Sequence, residues 1–122
     1  MTDAKRYNPQ VIETAWQQKW KEANLYHTVD AVDKPKAYVL AMFPYPSGDL
    51  HMGHLANYTI SDTVARVKKA MGFNVMYPMG FDSFGLPAEN VAIKHKVAPE
   101  AWTLANIERM KTEFDRAGLA FD

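Results

Sequence analysis

Two imidazoles stand three residues apart in His51-Met52-Gly53-His54, at the head of a long apolar-patterned stretch. On a nascent helical turn that spacing aims both rings to one side. The first amides of a helix have no intrahelical acceptor, and that end of the helix dipole is positive, so an anion is favoured there. Gly53 removes a side chain between the rings, which lets a flat ring or a phosphate approach the backbone closely. Two imidazole donors and a set of free amides suit the charge that develops on a pentavalent phosphorus, so the chemistry indicated is displacement at phosphorus. The tetrad alone leaves other readings open. The rings could be satisfied polar groups at a helix cap. They could also be zinc ligands, although the chain has no cysteine, and His27 and His95 lie in other segments.

A second candidate is Asp82, a lone carboxylate in the Gly/Phe-rich run Gly80-Phe81-Asp82-Ser83-Phe84-Gly85. Such a group is suited to pairing a cation. It could equally close an Asx-turn in its own loop.

These residues must be held by regular elements. Asn8-Pro9 predicts a helix start, and the stripe Ile12, Trp16, Trp20 and Ala23 predicts a helix to about Asn24 that docks on a core by its tryptophans. Thr28 to Lys36 reads as a connector. Ala37 to Met42 is a β-favouring apolar run and is expected to be a buried strand, cut off by the turn cluster Pro44-Tyr45-Pro46-Ser47-Gly48-Asp49. From Met52 to Met71 the apolar positions Leu55, Ile60, Val64, Val67 and Met71 follow a helical period, and Gly72 supplies a stop. Phe73 to Tyr77 reads as a second strand. Pro87 can open a short helix through about Lys96, and Thr103 can cap a last helix that ends at Gly118, its core stripe being Leu104, Ile107, Met110 or Lys111, Phe114 and Ala117. Alternating strands and helices predict an α/β fold with a parallel sheet and a right-handed crossover, preceded by the N-terminal helix. Ligands in such sheets lie beyond the carboxyl ends of the strands, where residues 43 to 53 and 78 to 86 both fall.

The bulk composition narrows the classes. At 122 residues, 48% apolar and 23% charged, the chain is of single-domain length and ordinary globular composition. Fourteen basic residues balance fourteen acidic ones, so no positive field marks a phosphate-backbone partner. The absence of cysteine fits a reducing compartment, and neither a signal segment nor an apolar stretch of membrane length is present. A cytoplasmic, membrane-free protein is expected. Asn57-Tyr58-Thr59 fits a glycosylation triplet, but it falls inside a predicted helix and is discounted.

Longer runs add a resemblance. Met42-Phe43-Pro44-Tyr45-Pro46-Ser47-Gly48, then Leu50-His51-Met52-Gly53-His54, then Asn57-Tyr58-Thr59-Ile60, then Gly80 to Asn90 resemble in order and spacing the class I aminoacyl-tRNA synthetases, and most closely their leucyl family. The tetrad also occurs in stand-alone nucleotidylyltransferases, which remain an alternative. The resemblance implies a partial Rossmann-like sheet: residues 1–36 would be helix and connector, and 37–122 the N-terminal half of an ATP- and amino-acid-binding domain. It implies leucine activation by ATP, with Mg2+, and transfer to tRNA(Leu). His51 and His54 would act on the α-phosphate region, Gly53 would lie under the adenine, and Asn57 would adjoin the nucleotide. Met42, Phe43 and Tyr45 would line the leucine pocket, although by themselves they could be core side chains, and Asp82 would bind the substrate ammonium. Ala56 and Ser61 stand where an arginine and a glycine are expected. No counterpart of the family's lysine-rich KMSKS loop is present, so the chain is expected to need the remainder of the catalytic domain as a partner, or to be an inactive assembly piece.

Overall fold

The computed structural model describes residues 6–30 and 33–122. In chain order the elements are α1 (Pro9–Glu22), β1 (Lys36–Tyr38), α2 (Met52–Ala70), β2 (Asn74–Met76), α3 (Leu86–His95) and α4 (Pro99–Ala117). β1 and β2 pair in parallel, Lys36 opposite Asn74, Ala37 opposite Val75 and Tyr38 opposite Met76. Because α2 connects two parallel strands, the loops that leave β1 and β2 emerge at the same edge of the sheet. This is the α/β arrangement expected.

Its details differ from the expectation in several places. The strand after Lys36 was expected to be buried through Met42. Regular pairing instead ends at Tyr38, followed by one more bond from Val39 N–H to the Met76 carbonyl. Successive side chains then take opposite faces. Ala37 and Val39 pack against the core and Ala41 is buried, while Tyr38 is 63% exposed and Leu40 and Met42 also face outward. A sheet of two short strands covers one face only.

The long helix shows the same inversion. Leu55, Ile60, Val64, Val67 and Met71, the periodic positions that marked the helix, are all exposed, whereas Tyr58, Asp62 and Ala65 are buried. Periodicity located the helix but not its inward side. The buried side is chosen by what it can bond and pack: Tyr58 meets Phe114 edge-on at 5.5 Å, and Asp62 accepts the amide of Ala120 at 2.6 Å. Gly72, with φ of 90°, supplies the stop as expected.

The tryptophan stripe does not dock α1 on a core. No α1 side chain among the described residues is buried, and Trp16 is half exposed. Trp20 instead meets the edge of Tyr26 at 6.1 Å and lies beneath the Arg66 guanidinium at 5.3 Å. α4 begins at Pro99 rather than at Thr103, because a proline with its fixed φ already suits the first helical turn. It buries Asn106, Met110 and Phe114; of the remaining expected stripe, Leu104 and Ala117 are exposed and Ile107 is only half-buried. Gly118 ends it in the left-handed conformation, as expected.

The core gathers Ala41, Tyr58, Ala65, Val75, Tyr77 and Phe114, with Phe81, Leu119 and Phe121 packed on it. Bonds from the C-terminal segment tie it across the core: Ala120 N–H donates to Asp62, which also accepts from Arg66 Nε, and Asp122 N–H donates to the Tyr77 carbonyl. The same guanidinium donates to the Tyr26 hydroxyl and the Gly118 carbonyl. Asp62→Ala would leave the half-buried Arg66 without its counter-ion and the buried Ala120 amide without an acceptor. It is expected to lower stability by roughly 3 kcal/mol, read as a fall in the urea unfolding midpoint at constant slope.

Candidate functional site

The loop from β1 to α2 is sorted by residue type. Pro44 and Pro46 are fully buried, and between and before them Met42, Phe43 and Tyr45 are exposed, Met42 at 66%. The alternative that these three are core side chains is therefore not what the fold does with them. The prolines anchor the loop and the larger side chains are left on its outer side. The β2 loop is stitched to it: Asp82 N–H donates to the Pro44 carbonyl at 3.0 Å. The Phe43 ring also covers Gly80 so closely that a Cβ there would come within 2.9 Å of it. Asp82 is thereby held beside the Phe43–Tyr45 run, and its exposed carboxylate takes part in no ion pair among the described residues.

The two histidines form a reciprocal cap on α2. His51, with an extended backbone at φ −116° and ψ 170°, is the residue before the first helical turn. Its Nδ1 accepts from Gly53 N–H at 3.1 Å and His54 N–H at 3.3 Å, and His54 Nδ1 accepts from His51 N–H at 3.2 Å. This is a capping box in which imidazoles do what Ser and Glu usually do. A ring nitrogen that accepts an N–H must hold a lone pair, so in each neutral ring the proton sits on Nε2. Among the described residues neither Nε2 has a hydrogen-bond partner, which leaves two N–H donors at the positive end of α2. The rings stack at 3.8 Å and 20°, and His54 lies parallel to Tyr58 one turn on, at 5.9 Å and 6°.

Gly53 leaves this cap room: a Cβ would crowd the His51 ring, 3.0 Å from its Cε1 and 3.1 Å from its Nδ1. Asn57, exposed, follows Gly53 by one helical turn on the same face. Burial and the neighbouring His51 charge hold the His54 pKa below its ordinary 6.5, with Glu113 acting in the opposite direction. No group of three or more metal-ligating side chains is gathered among the described residues, and no helix among them is long and apolar enough to cross a membrane.

Three residues of α4 that hold the loop carried no sequence signal. Asn106 Nδ2 donates to the Pro46 carbonyl at 3.2 Å, Arg109 pairs with Asp49 at 2.7 Å, and Glu113 Oε2 accepts Leu50 N–H at 2.9 Å. Their i, i+3, i+7 spacing was visible, but nothing in it distinguished a brace from a solvated helix face.

A profile of the tRNA synthetases of class I (I, L, M and V) matches residues 15–115. The chain belongs to this family. Among curated relatives, the leucine–tRNA ligase of Oleidesulfovibrio alaskensis is 55% identical over 117 residues, which are 96% of this chain and 14% of that one. The leucine–tRNA ligase of Synechococcus elongatus is 56% identical over the same shares. Among solved structures, the LeuRS of Agrobacterium radiobacter K84, in a ternary complex with tRNA and LeuAMS, matches with TM-score 0.91 and 43% identity over 95% of this chain and 15% of that one. The methionyl-tRNA synthetase of Mycobacterium tuberculosis, in complex with methionyl-adenylate, matches with TM-score 0.70 and 26% identity over 72% of this chain and 17% of that one. This class I synthetase chain thus spans 14% of the length of those curated relatives, and its α/β fold is that of the corresponding Rossmann-like part of the solved ones.

The cap makes the stability of the class I synthetase fold here depend on pH. A lowered His54 pKa means that the folded form binds this proton less readily than the unfolded form, so the His54 contribution is complete above about pH 6.5 and is lost as pH falls through the lowered value. His54→Ala is expected to cost about 1 kcal/mol at pH 8. Urea unfolding at pH 8 and pH 5 should show that cost shrinking at the acid end.

Proposed function

We propose that this chain forms the part of a leucine–tRNA ligase that holds ATP and leucine for adenylate formation. A leucine carboxylate oxygen attacks the α-phosphorus. The new oxygen–phosphorus bond replaces the bond to the bridging oxygen, and pyrophosphate leaves with the electron pair. The leucyl group then passes to a terminal ribose hydroxyl of tRNA(Leu), releasing AMP. The observation that supports this best is the reciprocal cap, which turns both histidines into Nε2–H donors at the positive end of α2. Those donors are directed at the α-phosphate region, Gly53 receives the adenine, and Asn57 adjoins the nucleotide. Met42, Phe43 and Tyr45 line the leucine side-chain pocket, and Asp82 pairs the leucine ammonium. Mg2+ enters bound to the phosphates of ATP. The similar LeuRS structure, a ternary complex with tRNA and LeuAMS, and the leucine–tRNA ligase relatives support the choice of amino acid.

The rest of such an enzyme has a place to pack. Tyr38 and Leu40, on and just after β1, and Ile60, Val64 and Val67 of α2 are exposed apolar surface with no described residue covering them. The net charge of zero adds no field for tRNA, so tRNA contacts belong with the remainder of the catalytic domain and further segments. A cytoplasmic location accords with this reading.

Titration of Mg2+–ATP and then leucine into the 15N-labelled chain is expected to shift the amides of Gly53, His54, Asn57 and Asp82 saturably. A His51→Ala, His54→Ala double variant should lose the ATP response, and absence of any ATP response in the wild type overturns the proposal. In leucine-dependent pyrophosphate exchange, measured with the remaining part of the enzyme supplied, the double variant should fall by roughly 10²–10³ or more, the loss typical of removing a transition-state donor. Asp82→Asn is expected to weaken leucine binding about tenfold to a hundredfold, the scale of one charge-assisted bond, with ATP binding unchanged.

A further inference from the structure

We propose that Asn106 and Glu113 of α4 are positioning residues for the paired imidazoles, holding the segment Pro46–Leu50 so that His51 enters the helix cap in the one orientation that frees both Nε2 atoms. The inference deepens the proposed adenylation site and rests on that reading for its effect on rate. Its structural part stands separately.

The segment has little to fix it from within. Pro44 and Pro46 have no N–H to give, and among the described residues no backbone–backbone bond joins residues 45 to 50 to any other element. Its position is set instead by side chains of α4. Asn106, 1% exposed, donates to the Pro46 carbonyl, and Glu113 accepts the Leu50 amide, which lies immediately before His51. The third contact, Arg109 with Asp49, joins two side chains that are more than half exposed, and surface pairs of that kind contribute little. Asn106 and Glu113 are therefore the contacts that bear the constraint. α4 is in turn pinned by Met110 and Phe114, buried on the same side. The orientation of the cap is thus tied to the core through one helix.

Glu113 has a second, separable effect. Its carboxylate faces His54 from α4, while His51 faces it from the loop and Tyr58 stacks on it from α2, with the Arg109–Asp49 pair nearby on the rim. The carboxylate favours a proton on His54, against burial and His51. Glu113→Gln keeps an oxygen acceptor for Leu50 and removes the charge; Glu113→Ala removes both.

Three readouts on the 15N-labelled chain and its variants decide the matter. In Glu113→Gln the His54 ring titration midpoint should move down, with exchange protection of the Leu50 amide kept. In Glu113→Ala and Asn106→Ala that protection should fall about tenfold or more, as for any amide released to solvent by local opening. In leucine-dependent pyrophosphate exchange with the remaining part of the enzyme supplied, both alanine variants should lower kcat about tenfold to a hundredfold with the KM for ATP within a factor of about two, as misplacement of a donor does. Thr112→Ala, an exposed change on the same helix, should move none of these. Unchanged Leu50 protection in Glu113→Ala overturns the positioning role whatever the activity, and an unmoved His54 midpoint in Glu113→Gln overturns the separate charge effect alone. Should the ring and amide readouts move while the wild type shows no leucine-dependent exchange, the brace stands and the adenylation reading falls.

Discussion

A ring nitrogen that accepts an amide proton cannot carry one of its own, and the site is organised around that exclusion. His51 and His54 each spend Nδ1 on the first turn of α2, so each neutral ring has its proton on Nε2, facing away from the backbone it caps. Capping, which the tetrad posed as a rival to ligand binding, uses only Nδ1 and leaves each Nε2 without a partner among the described residues, available for the proposed ligand. The stacking distance of 3.8 Å adds a limit on charge: two imidazolium ions that close would repel by about 1–4 kcal/mol at effective dielectric constants from water to a protein surface. Capping through both Nδ1 atoms requires both rings to be neutral, so what the pair can offer an anion is directed N–H groups and the helix end rather than net charge.

Burial is distributed to serve that arrangement. The rigid, donor-free prolines of the β1 loop go inward, and Met42, Phe43 and Tyr45 are left outward. On α2 the inward face carries Tyr58, Asp62 and Ala65, which anchor the helix by an aromatic edge, a charge-assisted bond and a small contact, while larger aliphatic side chains remain exposed. Tyr58 is the hinge between these roles. Its ring is fully buried against Phe114 and Phe121 and lies parallel to His54, and burial pushes its hydroxyl up to about 12, so it stays neutral under the histidine.

Much of this was legible in the sequence because it depends on local chemistry. Asn-Pro and Gly stops set the ends of α1, α2 and α4 to within a few residues, the proline cluster ended β1, and the two loops at one sheet edge followed from the alternation of elements. What failed was whatever depends on neighbours. Leu55, Ile60, Val64, Val67 and Met71 do form a helical stripe, but a stripe faces inward only where something covers it, and among the described residues nothing does. Trp16 misled for the same reason. The Asp62–Arg66 node and the Asn106 and Glu113 contacts link residues 40 to 63 positions apart along the chain, and a polar residue in a helix announces no partner at that range. The site residues were visible as types; the side chains that aim them were not.

The electrostatics explain why aiming matters here more than attraction. The chain has equal numbers of acidic and basic residues, and several of its cations are committed elsewhere: Arg66 to Asp62 and two aromatic rings, Arg109 to Asp49, Lys68 over Phe73 and Lys21 to Asp115. Long-range steering of a polyanion by this segment is consequently weak, and whatever holds a phosphate must act at hydrogen-bond range. At that range the interaction is directional and falls off steeply with angle and distance. A site with few charges and two oriented donors is only as good as the backbone that orients them. In this chain that backbone is a proline-broken loop whose own hydrogen bonds are few, so its precision is borrowed from α4 and, through Met110 and Phe114, from the core.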